Sequence, residues 1–347
     1  MVSTNSPVDW ERASSVGSRL ARGGPVIPRA EAEAAVAELR AVSPVAEQHV
    51  RELTGLGEGL PLLEAEVVDR SGWVVSAISG LRSLTDGVIN AQESPLLPVL
   101  AGTSGAQAGA VLALLSGRVL GQFDPFAPGG GKLLLVAPNV VAAERAMDVD
   151  PSDFRMWVCL HESTHRLQFT AVDWLAGYFS EQVRGLIGGL EETANAGPGR
   201  LLEVGRDAVG ALRSGTLQGG AIGLFELLQT PEQRAVLHRL LAVSTLLEGH
   251  ADYVMDAVGP AVVPSVERIR NRFTARRSGG GLFDRVLRAV LGIDAKLRQY
   301  AEGAAFTRAV IEEVGMAGFN AVWTSPETLP TREEIADPAA WRKRVHG

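Results

Sequence analysis

The chain has 347 residues, enough to bury a sizeable core in one large domain or in two closely packed ones. Hydrophobic residues make up 46% and charged residues 21%, which is ordinary for a soluble globular protein. The formal net charge of -7 argues against electrostatic attraction to nucleic acid or to an anionic membrane, so neither is an expected partner.

Neither a secretory signal, nor a membrane span, nor a disulfide is expected. A secretory signal has a basic region followed by an apolar run, and the stretch MVSTNSPVDWERASS has neither. No segment reaches the roughly 18 consecutive apolar residues of a membrane-spanning helix. The single cysteine, Cys159, excludes an intramolecular disulfide. Together these features predict a cytoplasmic protein.

Helical signals dominate the first 118 residues. The run RAEAEAAVAELRAVSP is predicted to form a helix that begins after Pro28 and ends at Pro44. A second helix over VAEQHVRELTGL then has Gly55 as its C-cap.

Three further helices are predicted before the first strand signal. LPLLEAEVVDR and WVVSAISGLRSLTDGVINAQ both have apolar residues at helical spacing. The segment Gly102 to Gly121 is small-residue-rich and apolar on most faces, which predicts a central helix that its neighbours approach closely.

The only clear strand signal follows this helix. VLGQFDPF and KLLLVAPNV are separated by APGGG, and the second run has the continuous apolar character of a buried strand, so a hairpin or a two-strand edge is predicted. The chain then returns to helical patterns. We therefore predict a mainly α fold with a small β element in a single domain over 1–347, with a helical part over 1–118 and the strands and remaining helices over 119–347.

The stretch WVCLHESTHRLQF places His161, Glu162 and His165 in the order His-Glu-x-x-His within an apolar helical run. Residues four apart share a helix face, so the two imidazoles can form two corners of a tetrahedral zinc site. Glu162 is offset by about 100 degrees, which keeps it off the metal but lets it act as a base on a metal-bound water. The alternative is an ordinary helix whose histidines only make structural hydrogen bonds.

A second apolar helical run, LLEGHADYVMD, offers Glu248, His250 and Asp252 as candidates for the third ligand. Glu248 and Asp252 share a face at i, i+4, and their apolar flanks argue against a solvated helix face. We predict that Glu248 completes the site and that Asp252 accepts a hydrogen bond from a ligating imidazole. His250 points elsewhere; it is the second candidate for the third ligand, or a donor to a developing oxyanion.

Weaker candidates surround these residues. Gln168 lies three residues after His165, so it faces the same side and can line the pocket. Tyr253 and Tyr300 could each stabilise an oxyanion, although a tyrosine on a helix more often belongs to the core. We interpret Cys159 as a small buried apolar residue rather than as a nucleophile.

On these motifs the chain resembles the zincin metallopeptidases that use a glutamate as third ligand. The metzincin pattern His-Glu-x-x-His-x-x-Gly-x-x-His is not met, because Gln168 and Ala171 occupy its last two defining positions. Within the zincins, the chain is similar to actinobacterial hydrolases described as associated with coenzyme F420 biosynthesis, a zincin-like family of unknown substrate. The similarity covers nearly the whole chain and includes VDWERA, VLGQFDP, LLLVAPNV, HESTHRLQF, EGHADYVMD, KLRQYAEG and VWTSPETLPT.

This resemblance implies a zincin-like metallohydrolase fold with one zinc ion on His161, His165 and Glu248 and with Glu162 as the base. It also places LLLVAPNV where zincins carry the edge strand that pairs with an extended substrate. We expect hydrolysis of an amide or peptide bond in a substrate that the sequence does not identify. The alternatives are a non-catalytic binding protein on the same scaffold and an accessory factor linked to F420 metabolism.

Overall fold

The structure, a computed structural model, describes residues 8–85, 97–127, 129–195, 230–278 and 293–347. Its helices are α1 (Trp10–Leu20), α2 (Arg29–Thr54), α3 (Arg70–Thr85), α4 (Leu97–Leu115), α5 (Ala137–Met147), α6 (Pro151–Thr170), α7 (Leu175–Asn195), α8 (Pro231–Ala257), α9 (Val266–Ser278), α10 (Ile293–Phe319), α11 (Arg332–Ala336) and α12 (Pro338–His346). Its strands are β1 (Glu66–Val68), β2 (Gly121–Asp124) and β3 (Lys132–Val136), and two 3-10 helices cover Asn320–Trp323 and Pro326–Thr328. The predicted mainly α fold with a small β element is confirmed. Within the described ranges, no helix combines the length and the apolar character needed to cross a membrane.

Helix α2 continues through Pro44 instead of ending there. Proline lacks the N–H that would bond to the carbonyl four residues earlier, which normally breaks or kinks a helix. Here the buried side chains of Leu39 and Val50, on either side of the proline, pack in the main core, and this tertiary packing outweighs the local cost. The predicted end at Pro44 is therefore wrong. The predicted C-cap at Gly55 is confirmed, with φ of 69° and a backbone hydrogen bond donated to Arg51.

The three strands form one sheet in the order β1-β3-β2. β2 and β3 pair antiparallel with Gly121 opposite Leu135, so the predicted hairpin is confirmed. β1 pairs parallel to β3 with Val67 opposite the same Leu135. The helix predicted over LPLLEAEVVDR is wrong, because its Glu66–Val68 part is extended. A strand of three residues is stabilised by a partner distant in the chain, which a local apolar pattern does not show.

β3 lies in the centre of the sheet and is paired along both edges. An extended substrate adds only to a strand with a free edge, so the hypothesis that LLLVAPNV pairs with substrate is wrong. The strand instead separates two cores. Leu133 and Leu135 pack into the main core, while Leu134 and Val136 pack on the opposite face with α1 and α3.

α1 and α4 cross in direct backbone contact. A β-carbon placed on Gly109 would lie 2.3 Å from the carbonyl oxygen of Ala13, so only glycine permits this approach. The close packing predicted for the small-residue helix is confirmed. The helix is not central, however, because its Val111 and Leu114 are 51% and 53% exposed.

α6 carries His161 and His165, α8 carries Glu248, and both helices begin at strong caps. Asp150 accepts a hydrogen bond from the N–H of Asp153 at 3.0 Å, and Pro151 is the first residue of α6. α8 begins at Thr230, whose side chain forms a capping box with Gln233. α6 contacts both α2 and α8 and buries side chains on most of its faces. Polar groups on such a helix must find partners inside the protein.

Candidate metal centre

His161 and His165 converge on one point from the same face of α6. Their Nε2 atoms lie 3.1 Å apart, and their rings are almost perpendicular, with centroids 4.6 Å apart. Glu248 faces them from α8, with Oε2 at 3.5 Å from Nε2 of His161 and 3.6 Å from Nε2 of His165. The candidate ligand atoms of these three residues all lie within 4.8 Å of one another. The structure therefore brings together the three residues that the sequence proposes as ligands.

The hydrogen bonds of Gln168 define the tautomer of the neutral His165 ring. The carbonyl oxygen of Leu247 lies 3.0 Å from Nε2 of Gln168 and can only accept, so the amide nitrogen must face it. Oε1 of Gln168 then accepts from Nδ1–H of His165 at 2.9 Å. In the neutral ring the proton on Nδ1 leaves Nε2 with a free lone pair, which points toward the site.

His161 has a matching arrangement with a weaker partner. Its Nδ1 lies 3.1 Å from the thioether sulfur of Met255, which is an acceptor and not a donor. Its Nε2 lone pair therefore also faces the site. Two imidazole nitrogens and a carboxylate oxygen then meet at one point, and such a group of acceptors can hold a metal ion between them.

Electrostatics agree with a cation site. Burial alone would raise the pKa of Glu248, but the two imidazoles outweigh it and hold the pKa well below its usual range, so this carboxylate is ionised. Oε2 of Glu248 is buried without a hydrogen-bond partner among the described residues. The side chains of His161, His165 and Glu248 are 19%, 15% and 24% exposed, so the site is accessible to solvent. The donor set of two histidines and one glutamate fits a zinc ion with an open position.

Glu162 is buried beside this group, 6% exposed, and its side chain lies close to Gly121 of β2. A β-carbon placed on Gly121 would be 2.9 Å from Oε1 of Glu162. Burial raises the pKa of Glu162; the charges of His161 and His165 oppose this rise, and that of Glu248 adds to it. A carboxylate with a raised pKa holds a proton more readily, as a proton-transfer group requires.

Asp252 does not face the imidazoles. Its carboxylate pairs with Arg270 at 3.2 Å, and the same guanidinium pairs with Asp256 at 2.9 Å and lies over the ring of Trp157. The contacts predicted for Asp252 are made by Gln168 and Met255 instead.

His250 is fully buried behind the site rather than in it. Its Nδ1 lies 3.0 Å from Nε2 of Gln168, and its ring stacks on Phe319 with centroids 5.1 Å apart. Burial, with a smaller effect from the charge of His165, lowers the pKa of His250 to about 3, so the ring is neutral. The structure places it in contact with Gln168, and not beside Glu248 as an equivalent ligand.

The remaining sequence candidates lie further out. Tyr253 is half-buried and packs against the main core. Tyr300 is on α10, but its side chain lies outside the described residues. Cys159 is fully buried, and burial raises the pKa of its thiol, which agrees with an unreactive core residue.

Behind the histidines, a buried ion-pair cluster holds α6 against α2. Glu47 is fully buried and pairs with Arg166, next to His165 in the chain, and with Arg51. The two arginines also donate to carbonyl oxygens of 57–61, which lead into β1. Sequence reasoning missed this cluster, because nothing in the local pattern pairs a glutamate with an arginine 119 positions away.

These observations define a class of protein: a helical protein with a candidate metal site built from a His-Glu-x-x-His helix and a glutamate of a second helix. Residues 8–341 match the family model described as zincin-like metallopeptidase. The chain belongs to the zincin-like metallopeptidase family. A search of the curated proteins finds no match.

One solved structure is similar over nearly the whole of both chains. It is described as the crystal structure of "a putative hydrolase with a novel fold from Chloroflexus aurantiacus". Its sequence is 28% identical, the alignment covers 98% of this chain and 99% of that one, and the TM-score is 0.67. The family resemblance inferred from the sequence is thus confirmed at the level of the zincin-like metallopeptidases. The actinobacterial subgroup and the F420 association stay predictions.

Proposed function

We propose that the protein is a zinc-dependent hydrolase that cleaves an amide or peptide bond. The observation that carries this proposal is the convergence of Nε2 of His161, Nε2 of His165 and Oε2 of Glu248, with the buried carboxylate of Glu162 next to His161 on the same helix. Membership of the zincin-like metallopeptidase family supports the same reaction class.

His161, His165 and Glu248 would hold the zinc ion, and the single charge of Glu248 leaves the site cationic when it is loaded. A zinc ion in such a site lowers the pKa of a coordinated water toward about 7 and polarises a carbonyl group.

Glu162 performs the proton transfers. Its carboxylate accepts a proton from the attacking water as the water oxygen forms a bond to the carbonyl carbon. It then gives this proton to the amide nitrogen as the carbon–nitrogen bond breaks, so that a carboxylic acid and an amine leave. The raised pKa of Glu162 supports this role, because a proton taken from water must stay on the carboxyl group until the amine departs.

The proposed partner is a peptide or amide substrate. A non-catalytic binding protein on the same scaffold is the main alternative, and Glu162 discriminates between them. A purely structural zinc site has no need of a buried carboxylate beside its first histidine, and burying a carboxylate is unfavourable. A link to coenzyme F420 remains a prediction from the resemblance alone.

Zinc content and hydrolysis together test the proposal. Purified wild type, Glu162→Gln and the exposed control Glu33→Ala should each carry about one zinc ion per chain, as expected for a three-ligand site. Glu248→Ala should lose at least tenfold in zinc affinity. Wild type without stoichiometric zinc would exclude the zinc enzyme, and full occupancy in Glu248→Ala would exclude Glu248 as a ligand.

Hydrolysis would be screened with a peptide library and mass spectrometry. Glu162→Gln should keep its zinc and lose about 10²- to 10⁴-fold in rate, the usual contribution of a positioned base. Unchanged hydrolysis in this variant would reject Glu162 as the base. If the zinc-loaded wild type cleaves no peptide or amide in the library, the non-catalytic alternative replaces the enzyme.

A further inference from the structure

Gln168 lies at the junction of the two helices that carry the proposed ligands. It is fully buried on α6, and Oε1 accepts from Nδ1–H of His165 at 2.9 Å. Its amide nitrogen lies 3.0 Å from the carbonyl oxygen of Leu247, the residue before Glu248 on α8. One amide group therefore contacts a proposed ligand on α6 and the backbone beside the proposed ligand on α8.

His250 completes this connection. The second N–H of the Gln168 amide points to Nδ1 of His250 at 3.0 Å, so both of its hydrogens have acceptors on α8. The ring of His250 lies against Phe319 and Trp323, with centroids 5.1 Å and 5.5 Å away, which prevents it from moving away from Gln168. Contacts thus run without a gap from a buried aromatic wall through His250 and Gln168 to His165.

Packing alone does not account for a histidine at this position. Since Nδ1 of His250 accepts from Gln168, the neutral ring carries its proton on Nε2, and Nε2 is buried without a partner among the described residues. A buried N–H without a hydrogen-bond partner is unfavourable. A phenylalanine would fill the same aromatic environment without that cost, so the acceptor at Nδ1 is the feature that distinguishes histidine here.

We propose that Gln168, held in place by His250, is a positioning residue for metal binding: it fixes the Nδ1–H tautomer and ring orientation of His165 and sets the spacing between His165 and Glu248. The inference rests on the proposed zinc site. Partners of this kind, which hydrogen-bond to a ligating imidazole, typically change metal affinity by 10- to 100-fold when removed.

Gln168→Met tests this role, because methionine has a similar size and makes no comparable hydrogen bonds. The matched control is Gln122→Met, which removes the hydrogen bond that Oε1 of Gln122 accepts from Nε1 of Trp73 at 2.8 Å. Gln122 follows Gly121 in β2, so its side chain lies on the opposite face of the strand from Glu162. Zinc affinity would be measured by competition with a chromophoric chelator, and zinc-induced stabilisation by thermal unfolding with and without zinc. We expect Gln168→Met to bind zinc about 10- to 100-fold more weakly and Gln122→Met to stay within about twofold of wild type.

The two readouts separate positioning from stability. A purely structural role would lower the unfolding temperature of the metal-free and zinc-loaded forms equally, whereas a positioning role reduces the difference between them. An unchanged zinc-induced shift in folded Gln168→Met would overturn the inference.

His250→Phe provides a second variant that keeps the aromatic packing. It removes one of the two acceptors that hold Gln168, so zinc affinity should fall by a smaller factor, about three- to tenfold. If Gln168→Met does not fold, this variant decides alone, and wild-type affinity in it would overturn the inference. Complete loss of zinc would also overturn it, since His250 would then act as a ligand. If wild type itself shows no zinc-induced shift, the proposed function fails, and that outcome is distinct from all of these.

Discussion

Gly121 of β2 lies in direct contact with Glu162 of α6: a β-carbon placed on Gly121 would be 2.6 Å from Cγ of the glutamate. Gly121 is not one of the glycines with a positive φ, so the strand backbone can accept an alanine at this position. Gly121→Ala should therefore displace the Glu162 carboxylate and leave the ligands in place. We expect unchanged zinc content and a hydrolysis rate about 10- to 100-fold lower, measured on the substrate found in the peptide screen.

Gly177→Ala is the control for this substitution. It makes the same chemical change on α7, where an added β-carbon meets no atom within 4 Å. It should leave both zinc content and rate as in wild type. If Gly121→Ala hydrolyses its substrate as fast as wild type, the carboxylate position seen against β2 is not the one that the reaction uses.

The Glu47 cluster leads to a prediction about stability. Glu47 is fully buried, pairs with Arg166 and Arg51, and accepts from the N–H of Leu63. Removing one partner of a buried ion pair leaves an uncompensated charge, which typically destabilises by about 3–5 kcal/mol. We expect Glu47→Gln to lower the free energy of unfolding by that amount, measured by urea denaturation.

The exposed pair of Glu33 and Arg29 provides the contrast. Their side chains are 63% and 91% exposed and only 2.7 Å apart. Glu33→Gln should change the free energy of unfolding by less than about 0.5 kcal/mol, because solvent screens such a pair. Equal effects of the two substitutions would show that the Glu47 cluster does not act as a buried network.

The metal-ligand group could be predicted from the sequence because its spacing is local. His161 and His165 are four residues apart on one helix, and the carboxylate candidates for the third ligand lie in one short helical run. Helical periodicity alone therefore limits the third ligand to a few residues. What periodicity leaves open is which face of α8 meets α6. Glu248 faces the histidines, while Asp252, one turn later, turns to Arg270.

The features that sequence reasoning missed all depend on contacts distant in the chain. β1 forms because β3 pairs with it, and α2 passes through Pro44 because its buried face packs beneath α6. Gln168 is the intermediate case. Its spacing from His165 placed it on the correct face, but its contacts with Leu247 and His250 required the packing of two helices.

Zinc affinity should depend on pH through His165. In the metal-free protein burial lowers the pKa of His165, but the nearby carboxylate of Glu248 outweighs this effect, with a smaller contribution from Glu162, and the pKa is raised to about 9. Zinc binds the neutral imidazole, so below that pKa it must displace a proton. We expect the apparent affinity to increase about tenfold per pH unit between pH 6 and 8, measured by chelator competition. An affinity that stays constant over this range would contradict the proton competition.

His250 gives a pH dependence of stability with the opposite sign. Its pKa is lowered from 6.5 to about 3 by burial, so below pH 6.5 the unfolded chain binds a proton that the folded protein excludes. Its contribution to stability is therefore complete above pH 6.5 and is lost as the pH falls toward 3. Below about pH 5.5 His165 of the metal-free protein is protonated in both the folded and the unfolded state, so it adds no slope there.

Comparison with His250→Phe isolates this effect, because every other titrating group is shared by the two proteins. We expect the free energy of unfolding of metal-free wild type to fall by about 1.4 kcal/mol per pH unit more than that of the variant between pH 6 and 4. Urea denaturation at several pH values in the presence of a chelator measures both curves. Parallel curves would mean that His250 takes up its proton in the folded state, and the neutral ring that accepts from Gln168 would then be lost in acid.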